Sequence, residues 1–254
     1  MNNTNSRVQR RAIFMDDITK RVIFSDDLLE LEKNLEDENP NEEDDDEKLE
    51  ALISDEKAEW LPALGYSAKF DGHTFIAGAT ESGKSFFIKR MVMNDKLHRP
   101  VILFTNLSSD DVSFRGIQDM TKFDPNGKYG WEWVLKNIQN KILIFDDIRN
   151  NTIVKNFKDK MIEEGRHSNT VVICVNHALK DWYVTKVANN DCRYVVTFPS
   201  SNRGHVRKYL KDEIGLTRKQ LNRLMKISNQ EGRYLIIHKF TPNAIATTGS
   251  IFKL

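Results

Sequence analysis

The chain has 254 residues, of which 39% are hydrophobic and 30% charged, with a formal net charge of +1. That is enough for one α/β domain of about 200 residues plus an appendage. No secretory leader pattern and no apolar run of about 18 residues is present, which argues against ordinary secretion and against a membrane span.

The near-neutral total averages two unlike parts. Residues 1–60 carry 19 Asp/Glu and 8 Lys/Arg, a net of −11, which leaves +12 for residues 61–254. The expected division is an acidic N-terminal tail over 1–60 and a basic globular domain over 61–254. From Glu36 to Glu50 nearly every residue is acidic or an amide, with Pro40 among them, a composition that stays solvated and disordered. Ahead of it Arg11-Ala12-Ile13-Phe14-Met15-Asp16-Asp17 is echoed ten residues on by Arg21-Val22-Ile23-Phe24-Ser25-Asp26-Asp27. Two readings stand: a β-hairpin or edge strand packed on the domain, or a duplicated docking peptide anchored by Phe14 and Phe24.

From residue 61 onward apolar runs alternate with helical stretches, the pattern of a parallel sheet with crossover helices. The predicted strands are His73–Ala77, Val101–Thr105, Lys141–Phe145, Thr170–Val175 and Arg193–Phe198. They are continuous runs of Val, Ile and Phe, as expected of strands covered on both faces. The predicted helices are Lys84–Asn94, Trp131–Asn140, Ile153–Glu164 and Leu179–Ala188, followed by basic stretches at Arg203–Lys211 and Thr217–Ile227. Strands near Tyr234–Phe240 and Ser250–Lys253 close the domain. Cys174 and Cys192 each lie in an apolar strand-like run without metal-ligand spacing and read as reduced core thiols in a reducing compartment.

Chemistry enters after the first of these strands. Gly78-Ala79-Thr80-Glu81-Ser82-Gly83-Lys84-Ser85 has the G-x-x-x-x-G-K-S spacing of a phosphate-binding loop, in the strand–loop–helix context that such a loop requires. Gly78 and Gly83 permit the tight turns that point consecutive amides at a phosphate, and the helix opening at Lys84 adds its positive end. Lys84 is expected to bridge the β- and γ-phosphates of ATP, and the Ser85 hydroxyl to bind Mg²⁺. Ile142-Leu143-Ile144-Phe145-Asp146-Asp147 delivers carboxylates to the ligand-binding edge of the sheet. Asp146 is expected to hold Mg²⁺ through water, and Asp147 to polarise the attacking water.

At the end of the next apolar strand, Asn176 either orients that water beside the γ-phosphate or caps the helix from Leu179. His177 is left outside the catalytic set. Phosphoryl transfer also calls for a cation at the developing charge, often an arginine from a neighbouring subunit. Arg166, in Glu164-Gly165-Arg166-His167-Ser168, is the first candidate and Arg193 the second; the plainer reading of Arg166 is a cation at a helix C-terminus.

Taken together, these motifs resemble a family. The run Gly78–Ser85, the Ile-Phe-Asp-Asp ending at Asp147, the Gly165-Arg166-His167 turn and the strand ending in Asn176 carry the likeness. So does Asp191-Cys192-Arg193-Tyr194-Val195-Val196-Thr197-Phe198. They are similar to genome-packaging ATPases of double-stranded DNA viruses, in the poxvirus-type branch of the FtsK/HerA superfamily, shared with large DNA viruses, virophages and polinton-like elements. The likeness covers about residues 65–250. It departs from the family's pattern at Asp147, where a Glu is usual, and at Asn176, where a Gln is common. The resemblance implies a P-loop α/β fold and a homo-oligomeric ring that spends ATP to move duplex DNA into a preformed capsid. It also implies a capsid or portal-vertex partner and a site of action where virus assembles inside the host cell.

The residues between Arg203 and Lys226 fit that expectation. Arg203, Arg207, Lys208, Lys211, Arg218, Lys219, Arg223 and Lys226 face only Asp212 and Glu213 as acids, and such helices hold phosphates without reading bases. The plainer reading is a solvated face or a subunit contact. Two other functions stay open: a nucleotide or small-molecule kinase, although no Arg-rich lid is evident, and an assembly protein that binds ATP without hydrolysing it. A GTPase is disfavoured, since no Asn-Lys-x-Asp run is present.

Overall fold

The computed structural model describes residues 11–38, 49, 51–55, 57–66, 70–106, 113–148, 151–179, 190–200, 203–231 and 234–254. In chain order the first elements are β1 (Ala12–Asp16), β2 (Val22–Phe24), α1 (Ser25–Glu38), β3 (Ala51–Ser54) and β4 (Trp60–Pro62). The central unit follows with β5 (Thr74–Ala77), α2 (Lys84–Met93), β6 (Val101–Thr105), β7 (Met120–Lys122) and α3 (Trp131–Asn137). It continues through β8 (Ile142–Asp146), α4 (Thr152–Glu164), a 3-10 turn at Gly165–Ser168, β9 (Val171–Asn176) and β10 (Tyr194–Thr197). The chain closes with α5 (Arg203–Asp212), α6 (Arg218–Glu231), β11 (Leu235–His238), β12 (Ala244–Ala246) and β13 (Ser250–Lys253).

Among the described residues these strands build a ten-stranded sheet, in the order β3-β13-β12-β11-β10-β5-β9-β8-β6-β7, and a three-stranded one, β2-β1-β4. From β10 to β7 every pairing is parallel, while β11, β12, β13 and β3 add on antiparallel. The expected mainly parallel α/β sheet flanked by helices is therefore the architecture of the domain. Of the predicted elements, the helix Leu179–Ala188 lies outside the described residues from 180 onward.

Strand alternation explains the layering. Ile76, Ile142, Ile144, Ile173 and Val196 face one core with Phe87, Ile88 and Met91 of α2. Phe75, Leu143, Phe145, Val172 and Val195 face the other, with Val154 and Met161 of α4, Leu210 of α5 and Leu224 of α6. Burial on both faces is what continuous apolar strands require. Cys174 and Cys192 are free thiols, both buried.

The N-terminal segment follows the first of the two readings of its repeat. The repeat around Phe14 and Phe24 forms the hairpin β1–β2, and β1 also pairs with β4. Phe14 is fully buried, with its ring edge-on to Tyr194 and His238, and the Tyr194 hydroxyl donates to the Ile13 carbonyl (2.9 Å). Phe14 is thus a core residue of its own domain and not a docking anchor. Since β3 and β1 lie before residue 60 and pair with β13 and β4, the expected boundary at 60 cuts through paired strands. Of the acidic run 36–50, expected to be disordered, residues 36–38 instead close α1, while 39–48 and 50 lie outside the described residues.

Candidate nucleotide site

The loop from Gly78 to Ser85 joins β5 to α2 at the carboxyl edge of the parallel sheet. At Gly78 a Cβ would stand 2.6 Å from Ser82 Oγ and 2.8 Å from Phe198 Cδ2, so only glycine lets the loop fold back on itself here. Gly83, at φ 102°, is the N-cap of α2, and its carbonyl accepts the Phe87 N–H (3.0 Å). The buried Ser82 hydroxyl has no hydrogen-bond partner among the described residues.

Lys84 reaches back across the loop, its ammonium donating to the Gly78 and Ala79 carbonyls at 2.7 Å each. Burial lowers its pKa, while the charges of Asp146 and Asp147 act in the opposite sense, which places both carboxylates within electrostatic reach of the ammonium.

Sheet order brings the remaining groups to this edge. β9 is inserted between β5 and β8, with Asn176 level with Ala77 and Val175 level with Asp146. The Gly78 N–H donates to the Asn176 carbonyl (3.1 Å), tying the loop to the end of β9. Asn176 is buried and lines a cavity of about 20 Å³ with Phe75, Phe145, Lys158 and Cys174. Alternation puts its side chain on the face of α4, whereas Asp146 shares the face of Ile142 and Ile144, toward α2.

Past Asp146 the chain turns through a left-handed residue, Asp147 (φ 50°). The Asp147 N–H donates to the Val175 carbonyl (3.3 Å), and its own carbonyl accepts the Asn106 side-chain amide (3.3 Å). His177 Nε2 stands 3.2 Å from Asp147 Oδ2. The sequence motifs leave His177 outside the catalytic set and do not single out Asn106, although strand register places both. With Asp146 level with Thr105 and Val175, the residues just beyond each strand end become neighbours.

Two other candidates lie elsewhere. Arg166 is exposed in the 3-10 turn before β9, at the sheet edge opposite Asn176. Six strand residues at about 3.3 Å each separate the two edges, too far for Arg166 to reach the loop of its own chain. Arg193 is buried, and its Nη1 donates to the Phe70 carbonyl (3.0 Å) and the Asp71 carbonyl (2.5 Å). Its guanidinium lies over the Phe240 ring. Arg193 is therefore a structural cation, and its reading as a second arginine for a neighbour's site is corrected.

Among the described residues no cluster of three or more His, Cys, Asp or Glu is placed to hold a metal ion. Ser85 and Asp146 instead offer one hydroxyl and one carboxylate, a hard-oxygen pair that suits Mg²⁺, which keeps several waters and takes few protein ligands. The cradle at Gly78 and the Lys84 ammonium suit a phosphate chain.

A glycine-bounded loop between a parallel strand and a helix, within a sheet covered by helices, defines a P-loop α/β protein. No family model matches the chain. The uncharacterized protein V3 of Sputnik virophage is 25% identical over 223 residues, 80% of this chain and 83% of that one. The genome-packaging NTPase B204 from Sulfolobus turreted icosahedral virus 2, solved with sulfate, superposes at a TM-score of 0.48 with 16% identity, over 73% of this chain and 97% of that one. The cytoplasmic domain of the Thermomonospora curvata type VII secretion ATPase EccC superposes at 0.48 with 11% identity, over 79% of this chain and 28% of that one.

Proposed function

We propose that this chain is an ATPase that drives double-stranded DNA into a viral capsid, acting as a ring of identical copies docked on a capsid or portal-vertex protein. One observation carries the reading: the Lys84 ammonium, the Asp146 and Asp147 carboxylates and the end of β9 at Asn176 converge on one sheet edge around a glycine-bounded loop. In this reading the loop amides from Ala79 to Ser85 hold the phosphates. Lys84 exchanges two carbonyl acceptors for a charged phosphate oxygen, a stronger partner. Ser85 and Asp146 would hold Mg²⁺, which would supply charge neutralisation to the phosphate chain. Asp147, aimed by its left-handed turn and by His177, orients a water and takes its proton. Asn176 links the loop to α4. Arg166 serves only a neighbour's site, which makes the ring part of the chemistry.

The surface of α5 and α6 supports a nucleic-acid partner. Arg203, Lys208, Lys211, Arg218, Lys219, Arg223 and Lys226 are exposed, while Val206, Tyr209, Leu210, Leu221, Leu224 and Met225 are buried. Arg207 is half-buried and its Nη2 donates to the Asn222 side-chain Oδ1 (2.6 Å), joining the two helices. A cationic outer face without a base-reading element suits duplex DNA bound through its phosphates. No helix among the described residues is long and apolar enough to cross a membrane.

ATP turnover measured with and without duplex DNA tests the reading. Stimulation by DNA of any sequence is expected. Phosphoryl transfer to a small acceptor would identify a kinase, and tight binding without turnover an assembly protein; either overturns the proposal.

A further inference from the structure

Phe86 follows Ser85 directly, in the first turn of α2. The helix buries Phe87, Ile88, Met91 and Val92, but the Phe86 side chain is 66% exposed. Long side chains on a helix lean toward its N-terminus, so this ring covers the turn nearest the loop mouth. One turn on, the Arg90 guanidinium carbon lies 5.6 Å from the ring centroid. That guanidinium is itself held, by the Asp17 carboxylate (2.6 Å) and by Glu59. Asp17 is braced in turn by the Asn94 amide (2.7 Å) and the Lys20 ammonium (2.9 Å). The N-terminal hairpin thus fixes a cation against an aromatic ring at the mouth of the phosphate loop.

We propose that Phe86, backed by Arg90, is the platform on which the base of the bound nucleotide stacks, so that the site takes nucleoside triphosphates by the π-face of the base and not by its hydrogen-bonding edge. The inference rests on the phosphate-loop reading and adds the substrate's other end. A ring already steadied by a cation loses little freedom on stacking, and every base presents a π-face. Nε and Nη2 of Arg90 are engaged by Asp17 and Glu59, which leaves the ring face, more than the guanidinium donors, for the base. Purine triphosphates, with the larger face, are therefore expected to bind more tightly than pyrimidine ones, and ATP and GTP to within a few-fold of each other.

The test measures equilibrium binding of ATP, GTP, UTP and inorganic tripolyphosphate, the base-free probe, to the full chain. Phe86→Ala is expected to weaken ATP and GTP roughly tenfold, within the range for removing an aromatic stacking partner, and to leave tripolyphosphate affinity unchanged. Phe86→Trp should keep ATP affinity, and its added fluorescence should respond to ATP but not to tripolyphosphate. Unchanged ATP affinity in Phe86→Ala, or equal loss of ATP and tripolyphosphate, overturns the stacking while leaving the phosphate loop intact. Normal ATP binding with lost self-association overturns it in favour of a contact between copies. Wild-type protein that binds neither ATP nor tripolyphosphate overturns the phosphate-loop reading, and the platform with it.

Discussion

His177 Nε2 and Asp147 Oδ2 stand 3.2 Å apart at the ends of two neighbouring parallel strands. The contact aims a carboxylate whose backbone is already turned into the left-handed region, an uncommon conformation for a residue other than glycine. Such a carboxylate is built to hold one direction. Asp147→Asn should therefore keep ATP binding while lowering turnover by about 10²-fold or more, the range for lost general-base help. Lys84→Ala should instead abolish ATP binding. Equal loss of binding in both variants would move Asp147 into the metal shell.

In the proposed mechanism His177 acts through Asp147, so its removal should be milder. His177→Ala should reduce kcat with little change in ATP affinity, and His177→Gln, which keeps a donor near the carboxylate, should recover part of the loss. A parallel loss of ATP affinity in His177→Ala would mean that the imidazole serves the loop and not the carboxylate.

Arg166, at the far edge of the sheet, should matter only between subunits. Arg166→Ala should leave nucleotide affinity intact and suppress turnover. Adding Lys84→Ala protein, whose own Arg166 is intact, should restore activity in mixed assemblies. Absence of rescue where mixed assembly is verified would reduce Arg166 to an exposed cation after α4.

The central strands were legible because burial on both faces leaves continuous apolar runs, as in Val171–Val175 and Ile142–Phe145. The loop was legible because its spacing is itself the chemistry. The repeat is legible as a hairpin, but acid counts treat every carboxylate as solvated and so set residues 1–60 apart as a tail. Asp16 is buried, and burial alone would raise its pKa, but the backbone N–H groups of Glu59, Ile18 and Thr19 and the Thr19 hydroxyl bond the carboxylate and hold its pKa below the usual value. Arg193, the second candidate for an arginine lent to a neighbour, is instead bound to backbone carbonyls in the interior, a placement that no local motif reveals. The pairing of Asp147 with His177 depends on the register between β8 and β9, which no single segment reveals.

Because Phe14 is packed against Tyr194 and His238, removing its ring should destabilise the whole domain. Phe14→Ala is expected to cost about 3–5 kcal/mol, read as a lower urea midpoint. Phe24, only partly buried, should cost less. Equal small effects at both positions would return the repeat to a peripheral role.

Binding to DNA should be independent of sequence and fall steeply with salt. Neutralising Lys208, Lys211 and Arg223 together should flatten the log–log salt slope by up to about 3 units if all three touch phosphate. Arg207 is a poorer choice, since its guanidinium is engaged by Asn222. An unchanged slope would place the outer face of α5 and α6 away from DNA.

Two buried histidines set an acid limit on stability. Burial pushes His73 down to about 4, and its Nδ1 accepts the Val172 N–H (2.9 Å), a bond that protonation there would break. Burial likewise lowers His238 to about 4, where Nδ1–H donates to the Pro242 carbonyl (2.8 Å). Both are bases whose folded pKa lies below the unfolded value of about 6.5. The unfolded chain therefore takes up these protons first, and the stability present above pH 6.5 is lost as pH falls toward 4. At about 1.4 kcal/mol per pKa unit, each histidine contributes about 3 kcal/mol to that loss. Asp71, whose carboxyl burial raises against the pull of Arg99, works in the opposite sense, so the histidines are best isolated by comparing variants. Urea unfolding at pH 7, 5.5 and 4 should show a steep fall for the wild type and a shallower one for the His73→Gln, His238→Gln double variant. Equal slopes would show that both imidazoles take up their protons without unfolding the domain.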